Sequence, residues 1–158
     1  MILIAIDPGK TTGIVCVQAP SLDTAIMAET TDIKNTIDFI RIMRTSEEHP
    51  TTIIIEEFRL RKNKAVQQAG STIPSAEVIG AIRGWAVGKD NVEIVMQSAS
   101  AIGTIVPVML KAFGLWQPTV GKPHARDAAR HLIYYCFGIY PKETYARVKA
   151  QMEVEYGG

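Results

Sequence analysis

The chain has 158 residues, of which 47% are hydrophobic and 21% charged, and its formal net charge is +1. This length predicts one domain over residues 1–158 that buries roughly 70% of the surface of its unfolded chain. No apolar stretch approaches the ~20 residues of a membrane-spanning helix, and MILIAIDPGK lacks the basic region and cleavage site of a signal peptide. We therefore expect a cytoplasmic protein in which Cys16 and Cys136 are reduced.

Charge is distributed unevenly along the chain. Residues 1–57 hold nine acidic and four basic residues, a balance of −5, whereas residues 58–158 hold seven acidic and thirteen basic residues, a balance of +6. One six-residue run contains four of these bases: Arg59, Arg61, Lys62 and Lys64. A run of this kind is usually a solvated loop. Here it begins three residues after the carboxylate of Glu56, which favours a role in contacting nucleic-acid phosphates.

The hydrophobic pattern predicts a mixed α/β protein. Strands are predicted at 2–7, 13–18, 25–29, 52–57 and 92–96, and helices at 32–45, 75–87, 98–113 (in two pieces), 123–137 and 141–155. A hairpin meander followed by helix-linked strands predicts a five-stranded sheet with three antiparallel and two parallel strands, flanked by helices. The helix at 32–45 is the expected crossover that lets strand 52–57 pair parallel to strand 2–7.

Two carboxylates end neighbouring strands of this predicted sheet. Asp7 closes the first strand and Glu56 closes the fourth, so parallel pairing brings both to one edge, where adjacent strands lie about 4.8 Å apart. Carboxylates so placed repel each other unless a cation lies between them. Oxygen ligands at a pocket edge suit Mg²⁺ or Mn²⁺, and the chemistry that this indicates is two-metal phosphodiester hydrolysis.

The predicted last helix supplies further candidate ligands in the segment PHARDAARH. His124 and Asp127 are spaced i, i+3 and share a helix face, and His131 lies further along that face. We interpret His124 and Asp127 as site residues and His131 as a structural residue. The buried stripe of the same helix is predicted to contain Ala125, Ala128, Ala129, Leu132 and Cys136.

Together these motifs resemble a known family. IDPGKTTG at 6–13, a strand-end Ile-Glu at 55–56 and the two late helical residues three apart resemble the RuvC-type Holliday junction resolvases of the RNase H-like superfamily. IGAIRGW at 79–85 and RKNK at 61–64 are similar to two further segments of that family. The short length and divergent middle are most similar to the phage-encoded branch, whose host is a bacterial cell.

The resemblance implies a homodimeric endonuclease that resolves four-way DNA junctions by paired symmetric nicks, leaving 5′-phosphate and 3′-hydroxyl ends. It implies two Mg²⁺ ions per active site, with Mn²⁺ able to substitute. Asp7 would bridge both ions, Glu56 would bind one and Asp127 the other, and His124 would ligate a metal or act as general base. The residues that would contact DNA phosphates are Lys10, Arg59, Arg61, Lys62, Lys64 and Arg83.

Other interpretations remain open at the sequence level. A nuclease of the same fold acting on flaps or RNA would use the same acids. The turn DPGKTTG also resembles the first phosphate motif of actin-like and sugar-kinase ATPases, which would make the chain an ATP-binding domain. A non-catalytic DNA-binding module is a further alternative function. Within the turn, Gly9 and Gly13 are expected to let the chain reverse. Glu57 is expected on the opposite sheet face from Glu56, without a catalytic role.

Overall fold

The computed structural model describes residues 1–19, 21–22, 25–44, 49–58 and 73–157. Its strands are β1 (Ile2–Asp7), β2 (Thr12–Gln18), β3 (Ala25–Thr30), β4 (Thr51–Glu57) and β5 (Val92–Ser98). Its α-helices are α1 (Ile33–Met43), α2 (Pro74–Ala86), α3 (Pro107–Ala112), α4 (Pro123–Ile139) and α5 (Pro141–Tyr156), with 3₁₀ turns at Ala99–Thr104 and Gln117–Thr119. None of the helices in these ranges is both long and apolar enough to cross a bilayer.

The five strands form one mixed sheet in the order β3-β2-β1-β4-β5. β1 and β3 each pair antiparallel with β2, while β4 pairs parallel with both β1 and β5. Helix α1 connects β3 to β4 and thereby allows the parallel pairing, because a parallel neighbour cannot be reached through a tight hairpin. The predicted fold class is confirmed.

Both faces of the sheet are covered. Alternate residues of the strands point to opposite faces, and one set packs with α1 and α2 around Ile40, Val78 and Ile82. The other set packs with α3, α4 and α5 around Leu110, Leu132 and other apolar side chains. The unbroken run at 53–55 is fully buried, as predicted for a strand that is covered on both faces.

Helix α2 packs its central apolar residues into the core. Val78 and Ile82 are buried beneath the sheet. The predicted helix at 98–113 forms two pieces, and the second begins at Pro107. This position agrees with the expectation that proline interrupts a helix and starts the next one, because proline lacks a backbone N–H.

Helix α4 lies unusually close to β2, and Gly13 makes this approach possible. A Cβ at Gly13 would overlap the backbone of His124 and Ala125 in the first turn of α4. Neither Gly9 nor Gly13 has a positive φ, so left-handed backbone is not the reason for glycine at either position. At Gly13 the reason is the close packing of two backbones.

We expect Gly13→Ala to lower the free energy of unfolding by about 1–3 kcal/mol, because the new methyl group meets backbone rather than a movable side chain. Urea unfolding followed by circular dichroism measures the change. The control is Gly80→Ala in α2, where no atom lies within 4 Å of the added Cβ. That replacement should stabilise the helix by about 0.5–1 kcal/mol. Equal stability of Gly13→Ala and wild type would contradict the close-packing role.

Candidate active site

One row of residues crosses the whole sheet near the strand ends and faces α4. The strand register pairs Asp7 with Gly13, Gly13 with Glu29, and Glu56 with Gln97. Continuing the β1–β4 register by one residue places Asp7 beside Glu56. All positions of this row except Gly13 carry polar side chains, whereas the strands are otherwise mainly apolar. The predicted convergence of Asp7 and Glu56 at one sheet edge is therefore present.

Asp7 contacts the first turn of α4 through His124. Nδ1 of His124 lies 2.8 Å from Oδ2 of Asp7. Because a carboxylate only accepts hydrogen bonds, Nδ1–H is the donor. In the neutral ring this leaves Nε2 as the nitrogen with a free lone pair. The His124 side chain is 41% exposed, so Nε2 is available to a ligand, a metal ion or a water molecule.

The charged form of the Asp7 carboxylate is destabilised by its surroundings. Burial raises its pKa above the ordinary value of 3.8, and the nearby charges of Glu56 and Asp127 raise it further. The hydrogen bond and charge of His124 act in the opposite direction without cancelling the rise. Glu56 and Asp127 are thus each close enough to repel Asp7, which is the condition that a bound cation relieves.

Glu56 contacts the middle of α4 through His131. Nε2 of His131 lies 2.9 Å from Oε2 of Glu56, and Nδ1 lies 2.8 Å from Oε1 of Gln97. The sequence interpretation of His131 as structural did not anticipate its contact with a candidate site residue. The sequence does contain a signal for this contact. His131 lies seven residues after His124, which is about two helical turns, so the two side chains share one face of α4.

Two further acidic residues near the site are Asp127 and Glu57. Oδ1 of Asp127 accepts a hydrogen bond from Nη1 of Arg130 at 2.8 Å, one turn along α4. Glu57 lines a cleft on the α2 side of the sheet. The expectation that Glu57 points away from Glu56 is therefore confirmed.

Glu29 is a further residue that the sequence did not single out. Its Oε1 accepts a hydrogen bond from the backbone N–H of Ala125 at 2.9 Å. Helix α4 begins with Lys122 at its N-cap and has no capping side chain of its own. A carboxylate from β3 therefore satisfies one of the unpaired N–H groups at the positive end of the helix.

The carboxylates of Asp7, Glu56 and Asp127 are of the chemical type that binds a hard divalent cation, although their side chains do not surround a single point. Among the described residues, no three His, Cys, Asp or Glu side chains are grouped closely enough to hold one ion. Each of Asp7, Glu56 and Asp127 instead has one oxygen engaged by a nitrogen donor. Carboxylate oxygens are the ligands that Mg²⁺ and Mn²⁺ prefer, and each carboxylate has a second oxygen outside these contacts.

The residues expected to contact DNA are only partly described. Arg59, Arg61, Lys62 and Lys64 lie outside the described residues. Lys10 is exposed in the turn that follows β1, and Arg83 lies on α2.

Arg83 lines a cleft of about 340 Å³ together with Glu57 and the partly exposed Phe58. A smaller cleft of about 170 Å³ lies beside the β1–β2 turn and is lined by Lys10 and Glu77, among others.

Similarity to known proteins lies in the fold. No protein-family model matches the chain, and no curated protein matches its sequence. Among solved structures it is similar to RuvC of T. thermophilus in complex with a Holliday junction substrate, with a TM-score of 0.52 and 16% identity. The match covers 94% of this chain and 96% of that chain. The fold is RNase H-like.

The raised pKa of Asp7 predicts a stability cost at neutral pH. Because the folded state binds this proton more tightly than the unfolded state, stability falls as pH rises above 3.8 and levels off above the folded pKa. We expect metal-free Asp7→Asn to be more stable than wild type at pH 7, since Asn keeps an acceptor for His124 without the charge. The advantage should vanish below pH 3.8. Urea unfolding in EDTA at several pH values measures it.

The matched control is Asp38→Asn. The hydrogen bond from Lys34 lowers the pKa of Asp38, whose side chain is 33% exposed. Removing that charge should give a small change of the opposite sign at pH 7. Lower stability of Asp7→Asn at pH 7 would show that the Asp7 carboxylate is stabilised rather than strained.

Proposed function

We propose that this chain is a Mg²⁺-dependent endonuclease of the RuvC type, which resolves four-way DNA junctions as a homodimer. The observation that carries the proposal is the pairing of Asp7 and Glu56 on adjacent parallel strands, facing the helix that bears His124 and Asp127. Acids that served only as surface charges would not share one partly buried edge of an RNase H-like sheet.

In this proposal Asp7, Glu56 and Asp127 hold two Mg²⁺ ions, for which Mn²⁺ can substitute. Bound there, the ions would lower the pKa of an attacking water and stabilise the leaving oxygen of a phosphodiester. His124 is oriented by its Nδ1–H donation to Asp7, so that its Nε2 can either accept the proton of that water or bind an ion.

A branched DNA substrate is supported by the fold comparison and by charge. The similar T. thermophilus protein was solved with a Holliday junction substrate, and the likeness covers nearly all of both chains. The proposed phosphate contacts are Lys10, Arg83 and the basic run at 59–64. Symmetric nicking requires two active sites, which a homodimer supplies, and a phage-encoded enzyme of this kind acts in the cytoplasm of its bacterial host.

Removal of the central carboxylates tests the chemistry. Asp7→Asn and Glu56→Gln should each lower Mg²⁺-dependent cleavage of a four-way junction by about a thousandfold, because several kcal/mol of charge stabilisation are lost. Junction binding in Ca²⁺ or EDTA should be retained. Single-turnover cleavage and gel-shift titration measure the two properties.

Glu57→Gln is the matched control, because it removes the adjacent carboxylate on the opposite face and should cleave like wild type. Four substrates separate the candidate functions: four-way junction, flap, duplex and RNA–DNA hybrid. Paired symmetric nicks in the junction alone support a resolvase, whereas preferential cutting of flaps or hybrid would favour a nuclease of the same fold with another substrate. Cleavage by Asp7→Asn at the wild-type rate would refute the active-site assignment.

The basic run is tested by its salt dependence. Each lysine or arginine that neutralises a phosphate contributes about −0.9 to the slope of log K against log salt concentration. Replacing Arg61, Lys62 and Lys64 by Ala should weaken junction binding and make this slope shallower by about 2–3. Fluorescence anisotropy between low and moderate salt measures both quantities.

A control of equal charge is the triple replacement of Lys111, Lys142 and Lys149 by Ala. These residues lie on α3 and α5, away from α2 and the β1–β2 turn. This variant should bind with a slope near that of wild type. Identical slopes for the two triple variants would mean that the basic run is a solvated loop without phosphate contacts.

A further inference from the structure

His131 is a buried polar residue that the proposed chemistry does not use. It is 0% exposed, and it lies on α4 beside Leu132 and Ile133, which are buried in the apolar core. Both of its ring nitrogens nevertheless lie within hydrogen-bond distance of a polar side chain, Nε2 of Glu56 and Nδ1 of Gln97. These three side chains join α4 to the ends of β4 and β5.

The hydrogen-bond geometry determines what His131 does to Glu56. Since the carboxylate only accepts, Nε2 of His131 must carry a hydrogen and donate it to Oε2. Nδ1 of the neutral ring then accepts, so Gln97 bonds to it by turning its amide NH₂ toward the ring, and this second bond prevents rotation of the ring about its own axis. A glutamate side chain has three rotatable bonds, so an anchored oxygen removes much of its freedom.

We propose that His131 and Gln97 are positioning residues, which fix Oε2 of Glu56 and so leave Oε1 as the oxygen that contacts a cation. This inference rests on the proposed function, because it assigns Glu56 as a metal ligand. Partners of this kind hold a ligand in its binding orientation, and their loss typically weakens metal affinity by 10–100-fold. His131 touches neither DNA nor metal in this arrangement.

Four variants separate positioning from packing. His131→Leu fills the space without a donor, and His131→Gln keeps an N–H near the position of Nε2. Gln97→Leu removes the support of the ring. Leu132→Ala is the control, because it damages the core of the same helix without touching Glu56.

The measurement is the affinity for Mn²⁺ alone, without DNA, from the electron paramagnetic resonance signal of free Mn²⁺. We expect His131→Leu to bind Mn²⁺ about tenfold or more weakly, with Gln97→Leu showing a smaller loss. His131→Gln should come within about threefold of wild type, and Leu132→Ala should match it. The Mn²⁺ concentration for half-maximal junction cleavage should shift in parallel for each variant.

The outcomes distinguish this inference from the proposed function. If wild type binds Mn²⁺ but cuts no branched DNA, the proposed function fails, while the differences among variants still support positioning. Unchanged Mn²⁺ affinity in both His131→Leu and Gln97→Leu would overturn the inference with the nuclease intact. Equal weakening in Leu132→Ala would assign the effect to packing, and absence of Mn²⁺ binding by wild type would also overturn it. If His131→Leu does not fold, Gln97→Leu and His131→Gln decide the question.

Discussion

The close docking of α4 across the strand ends is the constraint on which the rest of the site depends. The helix can approach because Gly13 has no side chain where the backbone of His124 passes. It is held there by Glu29, which accepts the N–H of Ala125. From this anchor the helix runs across β1 and β4, so that successive turns reach Asp7 and then Glu56. Backbone packing thus sets the geometry of every side-chain contact in the site.

The same docking concentrates negative charge at a partly buried edge, and nitrogen donors compensate for part of that charge. Asp7, Glu56 and Asp127 each have one such partner: His124, His131 or Arg130. The compensation is incomplete at Asp7, whose pKa stays raised by burial and by the other two carboxylates. A site that retains repulsion in the absence of a cation has a physical reason to bind one.

Much of the architecture followed from local patterns. Alternating or continuous apolar runs located all five strands, and the need for a crossover predicted the parallel pairing of β1 with β4. Because parallel strands end at the same edge, that pairing was enough to predict that Asp7 and Glu56 converge. The helical spacing of His124 and Asp127 predicted that they share a face. These inferences use only the fixed periods of strands and helices, so they needed no knowledge of distant contacts.

The sequence by itself determined the elements, their order and the two strand-end acids, since each depends on residues close together in the chain or on a general pairing rule. Only the tertiary structure decided that His131 contacts both Glu56 and Gln97, that Glu29 caps α4 and that Gly13 allows the close approach of α4 to β2. The hydrogen-bonded partners among them lie 34 to 96 residues apart. Such contacts depend on the height and rotation of α4 over the sheet, which packing of the whole core sets and no local period encodes.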